Sequence, residues 1–371
     1  MIFLHIGLII LCFYLLNKVC DEYFINALDR ISKRFNISPE AAGTTFMAMA
    51  SSSPEFSVSL IAVFRSGAHE AIGMGTIVGS ALFNLLFVVG ASAWVAQQIH
   101  LSWQTVLRDT VFYCTVIVLL IVAFWDGQIV LFEAMTFVLL YAVYVFLAIY
   151  WRRIVPSENF FYHIEGEVAL GWRKISGALM GEVERPWHHP KSIFSFLEHV
   201  LDRIFGMLFI NQEKYLWGFI LSVLFIVFFS WQIVDSAIVL AGILGIPEVV
   251  IALTVLGIGA SIPDFLTSFI VAKEGRGNMA INNAIGSNIF DILFGLGMPW
   301  LLVILIKQQN VFLVREGLYQ SVQWLFAFIL VFFVVSAVGK WKLGRWSGAF
   351  LVLCYVGYLA YEVCKAIGVL S

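Results

Sequence analysis

The sequence predicts an all-α integral membrane protein with ten transmembrane helices arranged as two inverted five-helix repeats. Three observations predict this fold class. Hydrophobic residues make up 61% of the 371-residue chain, charged residues only 12%, and the mean hydropathy is +0.93. Ten segments are apolar and long enough to span a bilayer, which takes about 20 residues. A polar motif of the first half recurs in the second half, which predicts two repeats.

The composition excludes several classes of protein. Soluble domains carry about 25% charged residues, roughly twice the share found here. The net charge of −2 provides no basic face for nucleic acid. The five cysteines are odd in number and lack metal-binding spacing. We therefore expect the lipid bilayer as the surroundings of the chain, with no nucleic-acid partner and no cofactor.

The predicted spans fall into two groups of five. Residues 1–151 form the first membrane repeat, residues 152–213 form a polar linker, and residues 214–371 form the second repeat. The linker is interpreted as a connecting or regulatory loop, and its sequence identifies no regulatory partner. In chain order the spans are 2–28, 39–64, 70–97, 108–125, 129–151, 215–237, 246–272, 278–306, 320–338 and 345–367.

The basic residues predict the orientation of the spans. If the N-terminus lies outside, most of the 22 Lys and Arg residues fall in loops on the inner side of the membrane. Cytoplasmic loops are enriched in Lys and Arg. We therefore predict a cytoplasmic linker and two non-cytoplasmic termini.

The repeated motif predicts how the two halves are related. Residues 43–55 read GTTFMAMASSSPE and residues 252–264 read ALTVLGIGASIPD. Residues 79–84 (GSALFN) align in the same order with residues 286–291 (GSNIFD). Because each half has an odd number of spans, the second half enters the membrane from the opposite side. Inverted repeats of this kind are typical of secondary transporters with a binding site near the midplane.

Three acidic residues of these motifs, Glu55, Asp264 and Asp291, lie inside apolar segments. An intramembrane carboxylate is costly and is by default a candidate functional residue. Pro54 and Pro263 cannot donate to the carbonyl four residues earlier, so each frees a backbone oxygen. Small or polar residues at helical spacing share a face with these acids or pair along the following helices: Ala48, Ser51 and Ser52; Gly257 and Ser261; Ser80 and Asn84; and Ser287.

Carboxylates, hydroxyls, an amide and carbonyls form this candidate site, and no His, Cys or Met joins it. Hard oxygen ligands suit Na⁺, Ca²⁺ and Mg²⁺, and Ca²⁺ accepts six to eight oxygens in flexible geometry. Up to three negative charges suit Ca²⁺ or several monovalent ions. If both compete for the same carboxylates, a sodium gradient can drive calcium movement.

At these residues the sequence resembles the cation/calcium exchanger superfamily, and specifically its potassium-dependent sodium/calcium exchangers. The resemblance is carried by SSPE at 52–55, SIPD at 261–264, and GSNIFD at 286–291 with MPW at 298–300. The two stretches look like the alpha repeats of that family, over 43–99 and 241–303.

The resemblance implies a function and a role for each candidate residue. It implies an antiporter that exchanges Ca²⁺ for Na⁺, with K⁺ co-transport, by alternating access. Glu55 and Asp264 would be the central calcium ligands that also serve sodium, and Asp291 corresponds to an acid used by potassium-dependent members. Serines 51, 52, 80, 261 and 287, Asn84, and carbonyls near Ala48 and Gly257 would complete the sites. Ala260 stands where the family usually has Thr, which removes one candidate sodium ligand.

Other functions explain the same residues less well. A proton- or other cation-coupled calcium exchanger of the same fold is the first alternative, since carboxylates also exchange protons. A passive channel usually forms its filter from several subunits, whereas this chain carries its own pseudo-twofold repeat. An intramembrane enzyme is disfavoured, because no HExxH motif occurs and no His accompanies the acids. We therefore predict a transporter and not an enzyme.

Overall fold

A computed structural model describes residues 1–34, 51–65, 69–101, 103–154, 215–273, 275, 277–312 and 317–368. Two predicted features lie outside these residues. One is the candidate ligand Ala48. The other is the linker 152–213, of which only residues 152–154 are described, as the end of a helix.

The first half of the chain is helical apart from two short strands. Its elements are α1 (Ile2–Val19), α2 (Ile25–Arg34), α3 (Ser53–Phe64), α4 (Glu70–Leu82), α5 (Val89–Ala96), β1 (Gln98–His100), α6 (Trp103–Ala123), β2 (Gln128–Ile129) and α7 (Leu131–Ile154). A π-helical turn at Cys20–Phe24 joins α1 to α2, and another at Phe83–Val88 joins α4 to α5.

The second half has a corresponding order of elements. These are α8 (Tyr215–Leu244), α9 (Glu248–Ile251), α10 (Gly257–Ala260), α11 (Ile262–Lys273), α12 (Gly277–Phe290), α13 (Gly297–Lys307), β3 (Val311–Phe312), α14 (Leu318–Val338), β4 (Lys342–Gly344) and α15 (Arg345–Ala366). π-Helical turns at Ala252–Leu256 and Asp291–Leu296 join α9 to α10 and α12 to α13. Helix α8 ends at Leu244, beyond the predicted boundary at residue 237.

Several of these helices meet the length and composition of membrane spans. Within the described residues there are seven: Ile2–Phe24, Glu70–Ala96, Val106–Ala123, Leu216–Leu244, Gly277–Lys307, Leu318–Val338 and Arg345–Ala366. The pair Glu248–Ala260 and Ile262–Lys273, bent by 45°, adds an eighth if it counts as one span. The predicted segment 39–64 is represented by α3 alone, and only Leu131–Leu147 of α7 is apolar. A multi-pass membrane protein is confirmed, while the count of ten spans stays a prediction.

Each of the two prolines of the repeated motif lies at the start of a helix. The backbone leaves the helical conformation at Ser52 and at Ser261, and Pro54 and Pro263 lie in the first turns of α3 and α11. Proline lacks an N–H and clashes with the preceding turn, but it fits a first turn, where no N–H is needed. The second motif is thus a broken helix rather than a kinked one.

The four strands form two short antiparallel ribbons that connect the halves. Strand β1 pairs with β4, with Gln98 opposite Gly344, and β2 pairs with β3, with Gln128 opposite Phe312. Each ribbon therefore brings a loop of the first half next to a loop of the second half. The paired loops must lie on the same side of the membrane.

The buried apolar residues form two clusters. The larger one is built mainly from α4, α6, α7, α12, α13 and α14. In the smaller one, α1 and α8 pack on each other and on the elements that carry the repeated motif. The ring of Phe13 lies against Gly259, where a Cβ atom would come within 2.6 Å of it. The pair α1–α8 therefore covers one side of the segment α9–α10, just before the break at Ser261.

Candidate ion-binding site

Three carboxylates are buried where the elements that carry the repeated motifs pack against one another. Glu55 is in the first turn of α3, Asp264 in the first turn of α11, and Asp291 opens the π-helical turn after α12. Their exposed fractions are 0%, 2% and 0%. Glu55 interacts electrostatically with Asp264, and Asp291 interacts with both. Buried like charges at such proximity require a cation or protons to balance them.

Two hydroxyls hold the carboxylate of Glu55. Ser80 Oγ on α4 donates to Glu55 Oε1 at 3.4 Å, and Ser261 Oγ lies 3.3 Å from the same oxygen. The two hydroxyls are themselves 2.6 Å apart. Among the described residues, Glu55 Oε2 has no hydrogen-bond partner. One half of the chain thus supplies the carboxylate and Ser80, and the other half supplies Ser261.

The carboxylate of Asp264 is held by an amide from the opposite half. Asn84 Nδ2 donates to Asp264 Oδ2 at 2.9 Å and lies 3.4 Å from Ser287 Oγ. Neither Asp264 Oδ1 nor Asn84 Oδ1 has a partner within the described part of the chain. This arrangement mirrors the one at Glu55, because each acid is approached by a polar side chain of the other repeat.

Asp291 differs from the other two acids in its surroundings. Neither of its carboxylate oxygens has a hydrogen-bond partner among the residues that the structure describes. Ser52, at the break before α3, is fully buried and its hydroxyl lies near Asp291. A buried carboxylate that accepts no short hydrogen bond is unstable as an anion, so a bound cation or a proton must satisfy it.

The helices cross at the site with backbone in contact with backbone. A Cβ atom on Gly257 would lie 2.7 Å from the carbonyl carbon of Gly79 and 2.8 Å from Ser80 N. Small residues permit this close approach of membrane helices. Gly257 therefore brings α10 close enough to α4 for Ser261 and Ser80 to meet.

Most of the predicted site residues are brought together. Six of them form the two hydrogen-bonded groups: Glu55, Ser80 and Ser261; Asn84, Asp264 and Ser287. Asp291 and Ser52 are buried beside them, and Gly257 lies at the helix crossing. Ser51 is only partly buried. Ala48 lies outside the described residues, so its position is not part of this comparison.

Two further polar residues belong to the same network. Asn288 Oδ1 accepts from Asn84 Nδ2 at 3.2 Å, and Asn288 Nδ2 donates to Tyr113 OH at 3.0 Å. Both residues are fully buried. Asn288 could have been found as the remaining polar residue of the GSNIFD motif. Tyr113 lies in the apolar segment α6 and no local signal marks it.

The donor atoms suit a hard cation. Within the described residues, no three His, Cys, Asp or Glu side chains form a closed metal cluster. Six oxygens of the site have no partner there: Glu55 Oε2, Asp264 Oδ1, both oxygens of Asp291, Asn84 Oδ1 and Ser52 Oγ. Calcium takes six to eight oxygen ligands, and sodium likewise prefers oxygen. An ion here would need hydroxyl, amide and backbone oxygens in addition to carboxylates.

A multi-pass bundle with buried carboxylates where its halves cross has the features of a membrane ion transporter. The profile of the family described as "Sodium/calcium exchanger protein" matches residues 5–150 and 214–363. The chain belongs to this family. The predicted resemblance to cation/calcium exchangers and the expectation of a transporter rather than an enzyme are both confirmed.

The chain is similar to several curated exchangers over nearly its whole length. It is 26% identical to human "Sodium/potassium/calcium exchanger 4", with 98% of this chain and 81% of that protein covered. It is 28% identical to human "Sodium/potassium/calcium exchanger 5", with 100% and 85% covered. It is also 28% identical to the "Sodium/potassium/calcium exchanger 2" of Gallus gallus, with 98% and 77% covered.

Two solved structures share the fold. The "H+/Ca2+ Exchanger CAX" superimposes with a TM-score of 0.67 at 14% identity, covering 96% of this chain and 82% of that one. The sodium-calcium exchanger NCX_Mj superimposes with a TM-score of 0.54 at 22% identity, covering 97% and 99%. At these identities the likeness establishes the fold alone.

Proposed function

We propose that this protein is an antiporter that exchanges Ca²⁺ for Na⁺, with K⁺ co-transport, by alternating access at the site around Glu55, Asp264 and Asp291. The observation that carries the proposal is the set of buried, partnerless oxygens at the crossing of the two halves. The family match and the names of the sodium/potassium/calcium exchanger relatives support the choice of ions.

The geometry explains how the ions would be coupled. In this proposal Glu55 and Asp264 share one divalent cation, since Ser261 Oγ, three residues before Asp264, lies 3.3 Å from Glu55 Oε1. The same oxygens serve monovalent cations when the divalent ion leaves. Because each carboxylate can serve only one occupant at a time, Ca²⁺ and Na⁺ exclude each other. Asp291 adds a third charge beside them, which suits the K⁺ that accompanies Ca²⁺. Serines 51, 52, 80, 261 and 287, Asn84, and carbonyls near Ala48 and Gly257 complete the proposed ligand set.

The proposed architecture is ten spans in two inverted repeats, with both termini outside and the linker in the cytoplasm. The two ribbons support it. Because β1 pairs with β4, the chain between these strands must cross the membrane an even number of times, and in the ten-span arrangement it crosses six times. The chain between β2 and β3 must also cross an even number of times, and in this arrangement it crosses four times. The two ribbons are also related by the repeat. Strands β1 and β3 follow the third span of their repeats, and β2 and β4 follow the fourth, so each ribbon pairs a strand after a third span with a strand after a fourth span of the other repeat.

The π-helical turns support the same relation between the halves. One begins at Phe83, directly before Asn84, and the other begins at Asp291, the residue aligned with Asn84. π-Helical turns inside α-helices occur frequently at functional sites. A widened turn that contains the aligned polar residue in both repeats supports a similar presentation of Asn84 and Asp291.

A proton-coupled calcium exchanger is the second candidate. The carboxylate of Asp291 favours it: neither of its oxygens has a hydrogen-bond partner among the described residues, and a proton would satisfy this group. Ala260 favours it as well, since this residue supplies no hydroxyl for sodium.

Uptake of ⁴⁵Ca²⁺ into proteoliposomes distinguishes the two candidates. Vesicles loaded with Na⁺ are expected to take up Ca²⁺, and external K⁺ is expected to increase the rate over an inert cation. Uptake that ignores Na⁺ and follows a proton gradient would favour the second candidate. Glu55→Gln is expected to abolish uptake, whereas the control Glu362→Gln, at a glutamate that is 2% exposed in α15, is expected to preserve it.

A further inference from the structure

A chain of amide hydrogen bonds runs from the α6 helix to the carboxylate of Asp264. Tyr113 OH accepts from Asn288 Nδ2 at 3.0 Å, and Asn288 Oδ1 accepts from Asn84 Nδ2 at 3.2 Å. Asn84 Nδ2 then donates to Asp264 Oδ2 at 2.9 Å. Tyr113, Asn288 and Asn84 are all 0% exposed, so bulk solvent does not reach these side chains.

The donor and acceptor inventory fixes the orientation of Asn288. A primary amide has two N–H donors and one oxygen acceptor. Asn288 Nδ2 gives one hydrogen to Tyr113 OH and the other to the carbonyl of Ala81 at 3.0 Å. Its oxygen must then point the opposite way, toward Asn84. A flipped amide would place that oxygen against the carbonyl of Ala81 and leave the N–H groups facing Asn84 Nδ2.

The orientation of Asn84 follows from that of Asn288. Both N–H groups of Asn84 are engaged, by Asn288 Oδ1 and by Asp264 Oδ2. Asn84 Oδ1 is therefore left without a partner among the described residues, as is Asp264 Oδ1. If Asn84 were flipped, its N–H groups would replace this free oxygen and would repel a cation.

We propose that Tyr113 is a positioning residue of the ion site: its hydroxyl, acting through Asn288, holds the amide of Asn84 with the oxygen available to the transported cation. The inference rests on the proposed function and adds a residue from α6, outside both repeated motifs. Tyr113 contacts no ion itself. Its effect on the ion passes through the orientation of two amides.

The test compares Tyr113→Phe with Tyr355→Phe. Both substitutions remove a buried tyrosine hydroxyl, but the hydroxyl of Tyr355 has no partner in the described part of the chain. Tyr113→Phe leaves an N–H of Asn288 unpaired, which is expected to raise the KM for Ca²⁺ about two- to tenfold in the proteoliposome assay. Direct ⁴⁵Ca²⁺ binding to the purified protein is expected to weaken by the same factor. Tyr355→Phe is expected to leave both values unchanged.

Combining Tyr113→Phe with Asn84→Asp tests whether the effect of Tyr113 passes through the amide of Asn84. Asn84→Asp places oxygen at both ends of this side chain, so its orientation no longer decides whether an oxygen is presented. Tyr113→Phe is then expected to cause no further loss of Ca²⁺ affinity beyond that of Asn84→Asp alone. An equal loss in both backgrounds would overturn the proposal, and so would equal KM values for Tyr113→Phe and Tyr355→Phe. Absence of ion-coupled uptake in the wild type would instead refute the proposed function.

Discussion

The close contact at Gly257 makes the site sensitive to a single methyl group. In Gly257→Ala, the new Cβ would lie 2.7 Å from the carbonyl carbon of Gly79, 2.8 Å from its Cα and 2.8 Å from Ser80 N. All three are backbone atoms, so rotation of a side chain cannot relieve the contact. Helices α10 and α4 must therefore move apart.

The size of the displacement follows from these distances. Ordinary van der Waals contact at a Cβ begins at 3.4 Å, so the backbones must separate by about 0.7 Å. Ser80 moves with α4, away from Ser261 on the other side of the crossing. Their 2.6 Å hydroxyl contact would lengthen to about 3.3 Å, beyond the usual O–H···O range. Overpacking of this kind costs about 1–3 kcal/mol. If the whole of this cost falls on the ion-bound arrangement, the KM for Ca²⁺ rises about 5- to 150-fold, which is the upper bound of the expected effect.

The assay is Na⁺-driven ⁴⁵Ca²⁺ uptake at a series of Ca²⁺ concentrations, with Gly242→Ala as the control. Gly242 lies in α8, and a Cβ there would meet no atom within 4 Å. The control is expected to keep the wild-type KM and to gain slightly in stability, since Ala favours a helix over Gly by about 1 kcal/mol. If Gly257→Ala keeps the wild-type KM, the contact between α10 and α4 does not determine the geometry of the site.

Three further outcomes are expected. Asp291→Asn should keep Na⁺-driven Ca²⁺ uptake but remove its dependence on external K⁺, because it deletes the third charge; an unchanged response to K⁺ would contradict the role given to Asp291. Asp264→Asn should abolish uptake while gel filtration and the thermal midpoint stay close to wild type, and retained uptake would show that the carboxylate is dispensable. Asp235→Asn breaks the ion pair with Arg65 that joins α8 to α3. Because the two side chains are 43% and 21% exposed, stability should fall by less than about 1 kcal/mol, while the maximum rate changes and the KM does not; a changed KM would place this pair at the ion site instead.

The fold class could be predicted from the sequence because its main determinants are local. Long apolar runs indicate spans, and the motifs SSPE and SIPD, each followed by a related Gly-Ser motif, indicate a duplication. The local pattern could not predict the backbone conformation at Pro54 and Pro263. A proline is compatible with a kinked helix or with a new first turn, and only the surrounding packing selects the second.

The ends of the helices were harder to predict for a related reason. Residues 238–244 continue the apolar character of α8, so the pattern contains no stop before Gly245, which adopts a positive φ of 66°. The short ribbons were not predicted at all. Pairing of β1 with β4 joins residues more than 240 positions apart, and two or three residues carry too little periodicity to identify a strand.

The candidate site, like the fold, was predictable from the sequence only in part. By itself the sequence determined which side chains could serve a cation, because acids, hydroxyls and an amide within apolar helices have few other uses, and the repeat linked Glu55 to Asp264. Only the tertiary structure decided which atoms face each other: that Ser261 and Ser80 share Glu55, that Asn84 holds Asp264, and that Tyr113 reaches this group through Asn288. These contacts join residues far apart in the chain. They depend on how closely α4, α6, α10 and α12 pack, and no local spacing along one helix encodes that distance.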